Sequence, residues 1–417
     1  MLWKNIKGLV GAYESPPHLL KGHEMNAFPV LSNAWLAIEN DRVVDFGQME
    51  DFPGISDWSG LEVVDLEGRY VLPAWCDSHT HLVFASSRSR EFLSRLQGKT
   101  YQEIANEGGG ILNSARALQS MPEEELFNQA KARLEQVIQL GTGAIEIKSG
   151  YGLTGEAELK MLRVIDRLKS TFSMPIRSTF LACHAIPDGW SSSGWTEYVS
   201  NELMEKVATA DLADFVDIFC EDGYFGLDDM KRLLQSASAH GIPAKVHVNQ
   251  FNAMGGVSIA AEMGARSVDH LEELTEEDVA ALVNTMDNAH GPTIACALPG
   301  CSYFLGIPYT PARKLMDADV PVALASDFNP GSAPSGNMSR VVQLAMVKMK
   351  MLPLEAIAAA TINGAAAMNC SDIAGVISPG RAANLLVTRP MEGLESMGYD
   401  FGLEPVEKVF MDGKWVE

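Results

Sequence analysis

The chain has 417 residues, of which 47% are hydrophobic and 21% are charged, so its composition indicates a globular protein and argues against disorder, a coiled coil or a collagen-like fibre. Asp and Glu together number 54 against 32 Lys and Arg, which gives a formal net charge of −22. Because such a charge repels phosphate backbones and anionic lipids, we expect no nucleic-acid partner and no membrane association. A chain with this net charge can still bind a small anionic substrate if its pocket contains a local positive group.

The two ends of the chain read as short strands separated by turns. Near the start these are Trp35–Glu39, Arg42–Phe46 and residues 62–66. Near the end they are residues 383–388 and Val406–Met411, followed by an Asp412-Gly413 pair typical of a tight hairpin. We predict that residues 1–70 and 375–417 together form one small β-sandwich domain.

The middle of the chain, residues 71–374, alternates short apolar segments with helical patterns such as Glu156–Lys169 and Asp228–His240. Eight such segments read as strands: Val71–His79, Ala144–Lys148, Ile176–Cys183, Phe215–Cys220, Ala244–His247, Ser267–His270, Thr293–Ala297 and Val320–Ala325. The alternation of strands and helices indicates an α/β protein, and the number of eight strands predicts a (β/α)8 TIM barrel. A doubly wound sheet usually carries a Gly-rich turn after its first strand, and none follows here.

The six cysteines are scattered and include no C-x-x-C pair, which favours reduced, buried thiols in a cytoplasmic protein. The sequence has no run of 18 apolar residues, and residues 1–13 do not read as a signal peptide. We therefore expect a cytoplasmic location.

A possible metal site lies at the ends of the predicted strands. In a strand, residues two apart point to the same side, so His79 and His81 can direct two imidazoles at one ion such as Zn²⁺ or Fe²⁺. The alternative is a pair of polar residues at a strand end. Five of the nine histidines end barrel strands, on the face where barrels carry their active sites: His79, His81, His184, His247 and His270. Packing alone does not explain that distribution.

This constellation resembles the amidohydrolase superfamily, and Asp327 follows strand eight as the resemblance requires. The resemblance implies one divalent ion, Zn or Fe, with the ligands His79, His81, His247 and Asp327. Strand four ends without the lysine that bridges two metals in dinuclear members, and Lys148 on strand two is expected to be an ion-pair partner. Asp327 is implied as the proton carrier, and His270 as the residue that orients water or steadies the developing charge.

Longer strings narrow the resemblance to the branch that opens the ring of 4-imidazolone-5-propanoate to N-formimidoyl-L-glutamate in histidine degradation. They include residues 79–84, 146–153, 269–272 and 327–332. Arg88 is the candidate clamp for the carboxylate tail, because guanidinium binds carboxylate in a bidentate fork. The other implied substrate-binding residues are Tyr101, Tyr151, His184, Gln250, Asn329, Gly331 and Ser332.

Several alternatives stay open at this point. Arg88 can be a solvated surface residue, Tyr101 a helix-packing aromatic and His184 a structural histidine, and a proton-transfer role for Gln250 is not assigned. A purine or pyrimidine deaminase would share every metal ligand but would need no carboxylate clamp. A non-catalytic barrel scaffold would have no need of four metal donors. We expect a homodimer, although no residue pattern fixes the oligomeric state.

Overall fold

The computed structural model of the protein describes residues 1–55, 59–99, 103, 110–288 and 291–417. Its strands form two eight-stranded sheets, one from the two ends of the chain and one from the middle. In chain order the strands are β1 Leu2–Val10, β2 Val30–Glu39, β3 Arg42–Gln48, β4 Val63–Asp65, β5 Tyr70–Pro73, β6 Trp75–Asp77, β7 Thr142–Lys148, β8 Ile176–Cys183, β9 Phe215–Cys220, β10 Lys245–Val248, β11 Ser267–His270, β12 Ile294–Ala297, β13 Val322–Leu324, β14 Leu385–Thr388, β15 Val406–Met411 and β16 Lys414–Trp415.

Helices occupy most of the connections between the barrel strands, and further helices follow the last barrel strand. In chain order the α-helices are α1 Ser89–Leu96, α2 Gly110–Ser120, α3 Glu123–Gln139, α4 Gly155–Thr171, α5 Ser192–Tyr198, α6 Met204–Thr209, α7 Leu227–Ala239, α8 Gly256–Glu262, α9 Glu276–Val283, α10 Pro299–Leu305, α11 Ala312–Asp317, α12 Met338–Lys348, α13 Pro353–Ala360, α14 Ile362–Ala367 and α15 Ser396–Tyr399. The two helices predicted from periodicity correspond to α4 and α7. Both bury one apolar face against the strands.

The middle sheet is a parallel barrel in which β6 to β13 follow one another in chain order. The barrel is closed between β6 and β13 by hydrogen bonds between the residues that follow each of these two strands. The amide of Asp327 donates to the His79 carbonyl at 3.0 Å, and the amide of His81 donates to the Phe328 carbonyl at 2.9 Å. The predicted TIM-barrel class is confirmed, and the contacts that close the barrel bring two presumed metal-binding segments together.

One predicted strand was wrong in its extent. Residues 71–79 read as a single barrel strand, but β5 pairs with β14 and β1 in the terminal sheet, and only β6 pairs with β7 in the barrel. The change of sheet follows Pro73, which has no N–H to continue a ladder. The next amide, that of Ala74, donates to the Asn384 carbonyl at 2.9 Å. The terminal sheet therefore reaches residue 73 rather than residue 70.

The terminal sheet has the order β16-β15-β14-β5-β1-β2-β3, with β4 also paired to β1. It encloses its own hydrophobic cluster, in which Trp3 stacks on Trp415 at 5.2 Å and meets the edge of Phe410 at 5.1 Å. The predicted hairpin is present, because β15 and β16 are antiparallel and both Asp412 and Gly413 have positive φ. Sequence patterning did not identify β1.

All six cysteines are buried and free, as expected for reduced thiols. Among the helices of the described segments, none combines the length and hydropathy of a membrane-spanning segment.

Candidate active site

Three imidazoles and one carboxylate converge at the C-terminal mouth of the barrel. His79 and His81 follow β6, His247 lies within β10, and Asp327 follows β13. Asp327 Oδ1 is 3.7 Å from His79 Nε2 and 3.5 Å from His81 Nε2. His247 Nε2 is 3.3 Å from His81 Nε2. The four residues that the resemblance named therefore surround one point.

The four side chains fit a divalent cation. His79 Nε2 is fully buried and has no hydrogen-bond partner, and the facing Nε2 atoms of His81 and His247 offer lone pairs toward the same point. Burial lowers the pKa values of His79 and His81 well below the usual range, which keeps both rings neutral as metal ligation requires. Three nitrogens and one carboxylate oxygen suit Zn²⁺ or Fe²⁺.

Carboxylates inside the barrel hold the second nitrogen of two of these rings. His79 Nδ1 is 2.6 Å from Asp269 Oδ2, a hydrogen bond that directs Nε2 at the common point. His247 Nδ1 is 2.9 Å from Asp217 Oδ2, a close charge contact in which the ring nitrogen is not aligned as a hydrogen-bond donor. Outer carboxylates of this kind fix ring orientation in metal sites.

A buried lysine links these carboxylates. Lys148 Nζ is 2.6 Å from Glu146, 2.9 Å from Asp217 and 3.8 Å from Asp269, so its expected ion-pair role is confirmed. Lys245 adds a second ion pair with Glu146. The sequence analysis missed this network. The sequence does contain a signal for this network, because acidic residues such as Asp217 in β9 lie in the middle of otherwise apolar strands.

His270 ends β11 next to the four presumed ligands, with its ring centroid 5.4 Å from that of His247. Its backbone has φ of +87°, which is strained for a residue with a side chain and is typical of functional sites. Burial lowers the pKa of His270, but the carboxylates of Glu272, with Oε2 3.5 Å from Nδ1, of Asp327 and of Asp269 together outweigh that effect and raise the pKa. Glu272 is a second residue that the sequence analysis missed.

His184 and Tyr151 form one wall of the site. The His184 ring stacks on His81 at 4.8 Å, and its Nδ1 contacts the Gly150 carbonyl at 3.2 Å. Burial lowers the pKa of His184 to about 3, so the ring is neutral. The loop that carries Tyr151 is held by Glu158, whose carboxylate accepts the amides of Gly150, Gly152 and Leu153 at 2.7 to 2.9 Å. This carboxylate was also missed.

The segment after β13 folds around the Asn329 side chain. Asn329 Nδ2 donates to the Asp327 carbonyl at 2.6 Å, and Asn329 Oδ1 accepts the amides of Gly331 and Ser332, both at 2.8 Å. Ser332 Oγ lies 3.5 Å from Asp327 Oδ2. The three residues thus hold the loop against Asp327 and also line the adjoining cavity.

A cavity of about 310 Å³ opens above the presumed ligands. Its lining includes Arg88, Tyr151, His184, Gln250, Asn329, Gly331 and Ser332. The Arg88 guanidinium packs against Gly331, where a Cβ atom would collide with Nη1. Glu91 Oε2 accepts a hydrogen bond from Arg88 Nε at 2.6 Å and also lies 2.6 Å from Nη2. Gln250 Nε2 lies 3.3 Å from Cys301 Sγ. All the named substrate-binding candidates therefore meet at one cavity except Tyr101, which lies outside the described residues.

Comparison with known proteins identifies the family to which the chain belongs. The model of the amidohydrolase family matches residues 70–416, so the chain belongs to the amidohydrolase family. Within it, the chain belongs with the imidazolonepropionases. It is 50% identical to the imidazolonepropionase of Christiangramia forsetii, with 100% of both chains covered. It is 48% identical to that of Flavobacterium johnsoniae over 99% of both chains, and 38% identical to that of Geobacillus kaustophilus over 99% of this chain and 96% of the relative.

Solved structures confirm the fold. The 5-methylcytosine deaminase of Klebsiella pneumoniae, liganded with phosphonocytosine, has a TM-score of 0.72 at 16% identity, with 100% of this chain and 98% of the deaminase covered. An adenosine deaminase of Xanthomonas campestris with bound zinc has a TM-score of 0.67 at 15% identity, with 99% and 92% covered. The fold of the barrel and the terminal sheet is therefore also found in these solved structures.

Proposed function

We propose that this chain hydrolyses the ring amide of 4-imidazolone-5-propanoate to N-formimidoyl-L-glutamate, using one divalent metal ion. The chain is a hydrolase of cyclic-amide carbon–nitrogen bonds, as its full-length relationship to imidazolonepropionases indicates. The observation that carries the proposal is the convergence of three imidazoles and Asp327 beneath a cavity that has Arg88 in its wall.

His79, His81, His247 and Asp327 would hold the ion. A divalent ion in that position supplies Lewis acidity and makes water acidic enough to act as a nucleophile near neutral pH. Zn²⁺ and Fe²⁺ both suit the donor set. We expect one ion per chain because β9, the fourth barrel strand, ends without the lysine that bridges two metals in dinuclear members of the superfamily.

Proton handling falls to Asp327. Its Oδ1 faces His79 and His81, while its Oδ2 lies 3.5 Å from Ser332 Oγ, so Oδ2 is the oxygen that can exchange a proton. In the proposed reaction Asp327 accepts a proton from the attacking water and delivers it to the ring nitrogen as the amide bond breaks. His270 lies on the other side of the site and stabilises the negative charge that develops on the carbonyl oxygen.

Substrate orientation falls to the cavity wall. Arg88 binds the propionate carboxylate, because an anionic ligand in a chain with a net charge of −22 needs local positive charge. Arg95 also lines the cavity. Tyr151 and His184 contact the planar ring from one side, and Gln250 offers an amide from the other. Asn329, Gly331 and Ser332 shape the floor of the cavity next to Asp327.

The deciding experiment mixes the purified protein with 4-imidazolone-5-propanoate and follows loss of the ring's ultraviolet absorption, with the product identified by mass spectrometry. We expect absorption to fall and N-formimidoyl-L-glutamate to appear. Cytosine, adenine and guanine serve as controls with ammonia as the readout. Ammonia release from a base without turnover of the imidazolone would favour the deaminase alternative.

Two further expectations belong to the same proposal. A homodimer would appear in sedimentation velocity as a species of twice the chain mass of 45.2 kDa. A cytoplasmic location agrees with six buried, free thiols, and cell fractionation tests it.

A further inference from the structure

A second group of potential metal ligands lies beside the presumed catalytic residues. His270, Glu272 and Cys301 each offer one ligand atom, and these atoms lie within 4.8 Å of one another. His270 Nδ1 and Glu272 Oε2 are 3.5 Å apart. That spacing agrees with two ligands on a tetrahedral ion whose bonds are about 2.0 to 2.3 Å long. Neither Glu272 nor Cys301 belongs to the group of His79, His81, His247 and Asp327.

Two of the three ligand atoms have no hydrogen-bond partner. His270 Nδ1 and Glu272 Oε2 are both buried, and apart from their 3.5 Å contact with each other neither has a hydrogen-bond partner, although buried polar atoms in proteins are nearly always paired. The other oxygen of Glu272 accepts from Ser302 Oγ at 2.9 Å, which fixes the orientation of the carboxylate. Cys301 is fully buried, and its sulfur receives the Gln250 amide at 3.3 Å.

We propose that His270, Glu272 and Cys301 form a second, inhibitory site for a thiophilic divalent cation, such as Cd²⁺ or excess Zn²⁺. A thiolate, an imidazole and a carboxylate select such ions over Mg²⁺ and Ca²⁺. On binding, the Cys301 thiol gives its proton to solvent and forms a sulfur–metal bond. Any proton on His270 Nδ1 is likewise released to solvent, and His270 Nδ1 and Glu272 Oε2 then donate lone pairs to the ion. Thiolate and carboxylate together balance the two positive charges of the ion.

Inhibition follows from the residue that the second site shares with the reaction. This part rests on the proposed function, in which His270 stabilises charge on the carbonyl oxygen. A cation on Nδ1 fixes the His270 ring in a new position, and it also displaces the Gln250 amide from Cys301 Sγ. We expect turnover at saturating cation to fall by about 10²-fold or more, the usual cost of a lost catalytic side chain.

The experiment uses the holoenzyme after dialysis, titrated with CdCl₂. Three quantities are measured: total metal per chain by elemental analysis, the thiolate-to-cadmium charge-transfer band in the ultraviolet, and turnover. Wild type should take up one additional ion, develop the band and lose turnover together. Cys301→Ser should show neither additional ion nor band, and its turnover, compared with its own cadmium-free value, should not change with CdCl₂.

Two variants guard against indirect effects. Cys370→Ser removes another fully buried thiol, one that contacts the Ala365 carbonyl and lies in a separate hydrophobic cluster. It should behave as wild type. Glu272→Gln retains the thiol and should weaken the second ion without abolishing the band at high CdCl₂.

Three results would overturn the proposal: wild type that binds no additional ion, Cys301→Ser that still binds one, or Cys301→Ser that loses the first ion, which would place the thiol in the first site. If cadmium replaces the first metal and the total metal per chain does not rise, wild type has bound no additional ion, and the proposal is overturned. Absence of turnover on the imidazolone would contradict the proposed function but would leave the ion count and the band interpretable.

Discussion

His79 and Asp269 form a buried hydrogen bond of 2.6 Å between Nδ1 and Oδ2, on the side of the ring opposite the presumed ion. The carboxylate accepts the ring proton and leaves Nε2 as the lone-pair donor. Asp269→Asn should therefore lower metal affinity by about 10- to 100-fold while the chain still folds. Competition with a chromogenic chelator measures the affinity. Asp214→Asn, which removes a carboxylate at the other end of the barrel, is the control, and equal affinities in the two variants would contradict the positioning role.

Metal content is the second prediction. One group of inward-facing imidazoles completed by Asp327 should hold one transition-metal ion per chain in dialysed protein. Elemental analysis checks the ratio and distinguishes Zn from Fe. Removal of the ion with a chelator should abolish turnover, and its return should restore it. Two tightly held ions per chain after dialysis would refute the mononuclear assignment.

Asp327 is expected to have two roles, as ligand and as proton carrier. Asp327→Asn is nearly isosteric, so the fold should persist, but turnover should fall by about 10²- to 10⁴-fold because an amide cannot accept the proton. Turnover should be measured at full metal occupancy, verified by elemental analysis in the same sample. Near-normal turnover of the loaded variant would remove Asp327 from proton transfer.

Arg88 is expected to hold the carboxylate tail of the substrate. A charged hydrogen bond contributes about 1.5 to 3 kcal/mol, so Arg88→Ala should lower kcat/KM by roughly 10- to 10³-fold. Arg88→Lys keeps the charge but loses the fork, and its kcat/KM should fall between those of wild type and Arg88→Ala. Arg90→Ala, at an exposed position two residues away, is the matched control. If Arg88→Ala equals wild type, another group binds the carboxylate.

The fifth prediction concerns pH and stability at the opposite end of the barrel. Partial burial alone raises the pKa of Asp214, but Lys169 at 2.6 Å, the Ser178 amide and Arg177 outweigh it and hold the pKa below its ordinary value. A carboxyl group with a depressed folded-state pKa stabilises the fold above its unfolded-state pKa, and the contribution is lost as pH falls through the folded-state value.

Asp214→Asn should consequently lower the free energy of unfolding by about 1 to 3 kcal/mol at neutral pH. The difference from wild type should shrink as the pH falls below about 4, the ordinary pKa of aspartate. Urea unfolding at a series of pH values measures both. A difference that stays constant over that range would show that the carboxylate acts through packing rather than charge.

The barrel, and the placement of several histidines at one end of it, were predictable because both depend on local patterns. Short apolar segments ending in His79, His247 and His270 have the period and spacing of barrel strands, and parallel strands end on one face. Residue pairs such as Lys148 and Asp217 were not predictable, since they join different strands and their meeting depends on barrel register. The same is true of Glu158, whose partners include backbone amides that no side-chain pattern reveals.

The break inside the first predicted strand has a different cause. Residues 71–77 have the same apolar character on both sides of Pro73, so hydropathy does not distinguish a strand of the terminal sheet from a barrel strand. The distinction comes from partners near the other end of the chain, such as Leu386, which pairs with Leu72. Cys301 was missed because it belongs to no sequence motif. Glu272 lies in the string 269–272, but its role was missed because its contact with His270 Nδ1 appears only in the folded structure.

The terminal sheet also determines which part of the fold can form first while the chain is being synthesised. Strand β5 leaves the ribosome early, yet its neighbour β14 comes from the far end, and the Tyr70 amide bonds the Thr388 hydroxyl across 318 residues. Until β14 emerges, β5 presents an unpaired edge that is open to aggregation. The barrel can assemble beforehand, because its strands are neighbours in chain order. A circular permutation that joins the present ends and opens a surface loop of the barrel would place β14 before β5 and shorten that exposure.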